Sequence, residues 1–178
     1  MIIGISGKKR SGKDTVFKLM NAITNHEVRT TRTAFGDQIK KEIADAMDIT
    51  MADIDADKER FRPLLQWWGA EFRRSYCGDD YWIKKMRSYA STFYTREWLV
   101  ITDVRFPNEA DMVRDLDGVL LRVDRDTGLN DSHSSETSLD LYRHFDFRIV
   151  NDGSMEDLES RVVGVVTEIY KREPMLQV

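Results

Sequence analysis

The residues that most constrain this chain are Ile2 to Thr15, IIGISGKKRSGKDT. Ile2, Ile3 and Ile5 form a short β-branched apolar run, the mark of a buried strand. Gly7 opens a loop, and Gly7-Lys8-Lys9-Arg10-Ser11-Gly12-Lys13 fits the spacing G-x-x-x-x-G-K. Beyond it, Val16, Leu19, Met20 and Ile23 recur at helical spacing, so a helix is expected over residues 13–25. Strand, glycine loop and helix in this order make a phosphate-binding loop. Its backbone N–H groups curl around an anion, the positive end of the helix faces it, and Lys13 adds a full charge. At Gly12 the backbone can approach without a Cβ in the way.

One position departs from the motif. The residue after the lysine is ordinarily Ser or Thr, whose hydroxyl holds magnesium. Here it is Asp14, and the hydroxyl follows one place later as Thr15. A carboxylate favours a hard cation, directly or through water, so Asp14 can serve the same ion.

Composition narrows the classes. The 178 residues carry a formal net charge of −4, which argues against a dedicated nucleic-acid binder with its basic excess. The single cysteine, Cys77, permits no intrachain disulfide and no cysteine-based zinc site, and a reducing cytoplasm fits. The chain opens directly on a strand, without a cleavable signal, and no apolar run is long enough to span a bilayer. One domain over residues 1–178 is the default.

Further along, Thr30 to Phe35 reads as a second strand, with Asp37 as the N-cap of a helix bearing Ile39, Ile43, Ala44 and Met47 on one face. Residues 50–59 are acidic and without period, a loop or short helical turn. Arg60 to Met86 is dense in aromatic and basic side chains. Pro63 suits a first helical turn, Gly78-Asp79-Asp80 breaks the helix, and Tyr81 restarts one. Basic and aromatic residues together here suit a phosphorylated, base-containing substrate; core aromatics beside solvated arginines would read the same way.

Residues 97–103, EWLVITD, are the clearest later strand, continuous and apolar as in a parallel strand covered on both faces. Ligands of open α/β sheets bind beyond the carboxyl ends of the strands. Asp103 therefore stands where an acid could serve magnesium or the acceptor, with Arg105 two residues on; alternatively Asp103 caps the helix that starts near Pro107. Gly118 to Val123 is another strand. The polar stretch 125–137 has the length of a functional loop, a lid from about 124 to 137, in which Arg125 and His133 could reach phosphates. Phe145 to Val150 is a last strand, Asn151-Asp152-Gly153 a turn, and Ser154 the N-cap of a final helix.

Taken in order, GKKRSGKDT, AFGDQIK, FRPLLQWWGAEFRR with a following YW, DVRFPNEA, SHSSE and IVNDGSMEDLESRV resemble the deoxynucleoside monophosphate kinases of tailed bacteriophages. The blocks run from Ile2 to about Tyr170. The resemblance implies an α/β P-loop fold of the nucleoside monophosphate kinase kind, with a parallel sheet, flanking helices, a substrate-binding helical region at about 37–92 and a lid. It implies transfer of the ATP γ-phosphoryl group to a dNMP, giving dNDP and ADP with Mg2+. By position, Gly7, Arg10, Ser11, Gly12, Lys13, Asp14 and Thr15 would hold the ATP phosphates, with Asp14, Thr15 and Asp103 toward the metal. Lys9, Lys40, Arg62, Gln66, Gly69 and Trp82 would touch the dNMP. Asp103 and Arg105 match the strand-end acid-x-arginine pair, and Arg125 with the His133–Glu136 block matches the lid. Catalysis would rest on Lys13, Arg62, Asp103, Arg105 and Arg125. The stretch between Met47 and Arg60 is short where some relatives carry an insertion, which leaves base preference and a homodimeric state open. The partner implied is a small-molecule dNMP, with no stable nucleic-acid complex, no membrane and a cytoplasmic setting.

Animal phosphomevalonate kinases share the K-x-SGKD loop, the acid-x-Arg strand end and a Ser-Glu after the lid. Pro63 to Trp68 and Tyr81-Trp82 favour a base-stacking site over their acceptor. A P-loop kinase of modified bases in DNA, or a regulatory nucleotide-binding protein, are the further alternatives.

Overall fold

In a computed structural model, residues 1–24, 27–93, 97–128 and 132–172 are described. Asn25 of the expected first helix and Leu129 to Asp131 of the polar stretch lie outside the described residues. The chain forms two compact units, one of Met1–Arg32 with Phe93–Val178 and one of Thr33–Thr92.

The first unit is built on a sheet of β1 (Ile2–Ser6), β2 (Arg29–Thr33), β3 (Glu97–Val104), β4 (Val119–Asp124) and β5 (Phe147–Val150), in the order β2-β3-β1-β4-β5. β1 runs parallel to β3 and β4, and β4 parallel to β5, with Ile3 opposite Val100 and Val119. Its helices are α1 (Lys13–Thr24), α7 (Pro107–Asp115), the short α8 (Ser134–Thr137) and α9 (Met155–Arg172). The pleat sends alternate side chains of each strand to opposite faces. Ile3, Ile5, Val100, Leu121 and Val123 meet Val16 and Met20 of α1 and Val162, Val166 and Ile169 of α9. On the other face Leu120 of β4 and Val113 of α7 pack over Gly4 of β1. Burial on both faces explains the near-continuous apolar strands.

The second unit holds α2 (Phe35–Met47), α3 (Met51–Ala56), α4 (Lys58–Gln66), a π-helical turn (Trp67–Phe72), α5 (Arg73–Cys77) and α6 (Tyr81–Ala90). Ile43, Ala44 and Ile54 form its core, flanked by Ile39, Phe61, Leu64, Leu65 and Trp68.

Several local expectations change. The strand expected over 30–35 ends at Thr33, and Phe35 and Gly36 open α2. Ala34 has the extended backbone of an N-cap, and the Asp37 N–H already bonds the Ala34 carbonyl at 3.2 Å. Asp37 is thus a first-turn acid, favoured by the helix dipole, and not the cap. Residues 51–56 are a full helix because Thr50 and Asp53 form a capping box, each side chain taking the other's backbone N–H, while Ile54 anchors the turn in the core. α4 consequently starts at Lys58, which puts Pro63 in its interior, where it has no N–H to give to the Glu59 carbonyl. The helix continues but widens at Trp67 into a π turn. The last strand starts at Phe147, two residues later than expected.

The packing makes a contrast measurable. Leu121 has no exposed surface and Leu141 is 83% exposed. Leu121→Ala is expected to cost about 2–5 kcal/mol of unfolding free energy by chemical denaturation. Leu141→Ala should stay within about 0.5 kcal/mol. Equal effects would mean that β4 is not a core strand.

Candidate active site

The loop after β1 is shaped by contacts from outside itself. The Ser11 N–H bonds the Lys8 carbonyl at 3.1 Å, Arg10 takes a left-handed φ of 62°, and Gly12 has a φ of 101°. The Lys13 ammonium folds back to donate to the Gly7 and Lys8 carbonyls at 2.7 and 2.8 Å. The Lys9 N–H donates to Glu136 Oε2 at 2.8 Å. The Ser11 carbonyl accepts from Asn151 Nδ2 at 2.8 Å. Buried Ser11 Oγ has no hydrogen-bond partner among the described residues. A buried hydroxyl with no partner is costly, and a phosphate oxygen would satisfy it.

Charge gathers at the mouth of this loop. Burial is the largest influence on Lys13, and the neighbouring Arg105 adds to it. Together they bring its pKa down to about 8, against the pull of Glu136, Asp103 and Asp14. Burial also works against the charge on Arg105, but Glu136, Asp103 and Glu109 outweigh it and hold the guanidinium charged. Arg105 pairs with the buried Glu136 carboxylate and donates to the Ser135 carbonyl at 3.0 Å, while its backbone N–H is taken by Glu109 at 2.7 Å. Lys13, Asp103, Arg105 and Glu136 thus share one electrostatic neighbourhood. The strand-end acid and arginine lie where the end of β3, next to β1, carries them.

The other expected residues of this unit are spread more widely. Asp14 is exposed, 3.9 Å from Arg32, and Thr15 is half-buried in the first turn of α1. Arg10 and Arg125 are exposed. His133 caps α8, its Nδ1 accepting the Ser135 N–H at 3.2 Å. Among the described residues no cluster of three or more His, Cys, Asp or Glu could hold a metal.

In the helical unit, Lys40 is bound to Asp55 at 2.6 Å and lies 3.8 Å from Asp37, and Arg62 and Gln66 are half-buried on α4. Gly69 and Trp82 are occupied by packing. A Cβ on Gly69 would stand 2.5 Å from Ile39 Cδ1, and the Gly69 carbonyl takes the Trp82 indole N–H at 2.8 Å. With Trp82 only 2% exposed, its ring belongs to the interior of this unit and not to a surface on which a base could stack.

Three residues were not singled out by sequence. Glu42 accepts from Trp68 Nε1, Arg73 Nε, Tyr81 Oη and Lys85 Nζ at 2.9, 2.7, 2.5 and 2.6 Å. Burial, the largest single influence, pushes its pKa up, yet the four donors together hold it at about 2. Nothing in KKEIADA distinguishes this acid from a solvated one. Arg122 is buried in β4, donating to Ser6 Oγ at 3.3 Å and to Asp124 at 3.1 Å. A cation inside the apolar run GVLLRVD was its visible signal. Asn151 lay in a stretch read as a turn and as part of the IVNDGSMEDLESRV block, with no role of its own.

Residues 50–162, well over half of the chain, match the sequence family described as deoxynucleotide monophosphate kinase. Over 93% of its length the chain is 26% identical to a protein of Acanthamoeba polyphaga mimivirus, covering 96% of that protein, whose assigned name is that of a deoxynucleotide monophosphate kinase. The crystal structure of shikimate kinase from Aquifex aeolicus is 13% identical, with a TM-score of 0.53 over 98% of this chain and all of that one, a likeness of fold alone. The parallel α/β sheet and its flanking helices are those of a P-loop kinase, and this chain belongs to the deoxynucleotide monophosphate kinase family.

Proposed function

We propose that this chain transfers the γ-phosphoryl group of ATP to a deoxynucleoside monophosphate, giving dNDP and ADP, with Lys13 and Arg105 as its central cations. The observation that carries the reading is the shared electrostatic neighbourhood of the loop lysine with the Asp103–Arg105 pair. Phosphoryl transfer asks for alignment and positive charge and little covalent chemistry from the protein. Lys13 and those N–H groups of residues 7–15 not already taken, as those of Lys9 and Ser11 are, hold the ATP phosphates, and the unpartnered Ser11 hydroxyl is available to them. The resemblance of their motif blocks supports Arg105, and separately Arg62 of the helical unit, as contacts to the acceptor phosphate, and Arg125 as a charge over the transferring group. Glu136 keeps Arg105 and the Lys9 amide in place. In the helical unit Lys40, Arg62 and Gln66 supply acceptor contacts, while Gly69 and Trp82 act by holding the π turn. The acceptor oxygen is already anionic near neutral pH, so no strong general base is required.

Magnesium fits the donor set. Asp14, Thr15 and Asp103 offer hard oxygen ligands, and both carboxylates act on Lys13. They are too few to hold the ion alone, as expected where phosphate oxygens and water complete the coordination. When bound, the ion neutralises phosphate charge. The mimivirus relative supports a virus-encoded enzyme, and the likeness of the KRSGKDT and NDGS blocks to phage kinases supports a phage-type one working in the cytoplasm of a host cell.

A coupled assay of ADP release with dAMP, dGMP, dCMP, dTMP and the ribonucleotides tests the reading. Turnover is expected with at least one dNMP. Lys13→Ala should lower it by ~10³ with folding unchanged, by analogy with the loss of a transition-state cation. Stimulation by duplex DNA alone, or by no acceptor, would sink the assignment.

The lowered pKa of Lys13 gives a second test. The free enzyme loses the ammonium as pH rises through about 8, so kcat/KM for ATP should fall above that value. Lys13→Arg, charged throughout, should remove the fall. A wild-type profile flat to about pH 10, near the ordinary lysine pKa, would refute the burial of this charge. The stability effect has a defined sign. The folded-state pKa lies below 10.5, so the unfolded chain binds more protons between about 8 and 10.5, and stability from this group rises with pH across that window.

A further inference from the structure

The Asn151-Asp152-Gly153-Ser154 block has no task in the reaction as described. We propose that Asn151 is a positioning residue for the nucleotide phosphates, acting through the Ser11–Gly12 peptide of the loop. The inference rests on the reading of residues 7–15 as the ATP phosphate site.

Asn151 is 8% exposed and held at both ends. Its backbone N–H donates to the Asp124 carbonyl at 2.7 Å, tying it to the end of β4. Its side-chain Nδ2 donates to the Ser11 carbonyl at 2.8 Å in a buried contact. The amide orientation follows from chemistry, because a carbonyl only accepts. A trans peptide is planar, with its C=O and N–H pointing in opposite directions. Holding the Ser11 oxygen toward Asn151 therefore turns the Gly12 N–H away from it.

That N–H is unengaged, as is the buried Ser11 hydroxyl, among the described residues. A flipped peptide would instead present a carbonyl oxygen where the N–H now points, and an oxygen repels an anion. Gly12 and Asn151 are also matched in shape. A Cβ on Gly12 would stand 2.4 Å from Asn151 Nδ2, at a φ that L side chains rarely adopt. The amide lies against the loop where only a glycine fits, and so sets the direction of one phosphate donor without touching phosphate itself.

Asn151→Asp tests this, since it keeps the shape and replaces the donor with oxygens that repel the Ser11 carbonyl. The readouts are KM for ATP and for the dNMP, calorimetric binding of ATP and of inorganic tripolyphosphate, and Tm. Loss of the hydrogen bond and reversal of its polarity should raise KM for ATP by ~10-fold or more and leave KM for the dNMP within ~2-fold. ATP and tripolyphosphate should weaken by the same factor, because the effect travels through the loop. An unchanged KM for ATP would overturn the proposal. So would equal rises in both KM values, which mark a merely structural residue, or weakened ATP with wild-type tripolyphosphate binding, which would put Asn151 at the nucleoside. If the buried carboxylate prevents folding, Asn151→Ala carries the same comparison. A wild-type chain that binds tripolyphosphate but phosphorylates no dNMP would defeat the kinase reading, and the tripolyphosphate ratio alone would then decide the role of Asn151.

Discussion

A phosphate-binding loop must keep its backbone N–H groups turned toward an anion without the ladder of a helix or sheet to hold them. In this chain the constraint is met by side chains that reach the loop backbone. Asn151 holds the Ser11 carbonyl, Glu136 the Lys9 amide, and Lys13 the Gly7 and Lys8 carbonyls. Asn151 and Glu136 arrive from more than a hundred residues away in sequence. The order of the sheet, with β1 between β3 and β4, brings their segments to the same end of the strands.

The same convergence concentrates charge, and magnitudes decide how each group responds. For Lys13, burial and Arg105 outweigh three carboxylates, and its pKa falls to about 8. For Arg105, the carboxylates outweigh burial, and the guanidinium stays charged. A lysine that can lose its proton more easily beside an arginine that cannot is a division of labour set by environment. A bound phosphate would reverse the balance at Lys13 by adding negative charge next to it.

The helical unit solves a different problem. Its aromatic and basic residues are ordered around one carboxylate, Glu42, which gathers four donors. Arg73 thereby lies 5.1–5.4 Å from the ring centres of Trp68, Phe72 and Tyr81. At these distances the ring faces attract the guanidinium as well. The interleaving of rings and cations from Arg60 to Met86 serves an internal framework, which explains why Trp82 is buried within it.

What the sequence determined by itself is whatever depends on near neighbours. Residues 2–15 specify strand, loop and helix, because periodicity, glycine spacing and helix polarity are local properties. The apolar runs at 97–103 and 118–123 specify interior strands for the same reason, and ordered motif blocks point to the family. Only the tertiary structure decided which side chains hold the loop, and which expected contacts are taken up by packing. Asn151 in a turn, Glu42 on a polar helix face and Trp82 in an aromatic cluster look ordinary in one dimension. Their roles come from hydrogen bonds to groups 140, 26 to 43 and 13 residues away. No local pattern encodes a partner at that distance. The start of α2 ahead of Asp37 has a related reason, since Phe35 is buried, whereas α3 rests on the local Thr50–Asp53 capping box and α4 runs on through Pro63.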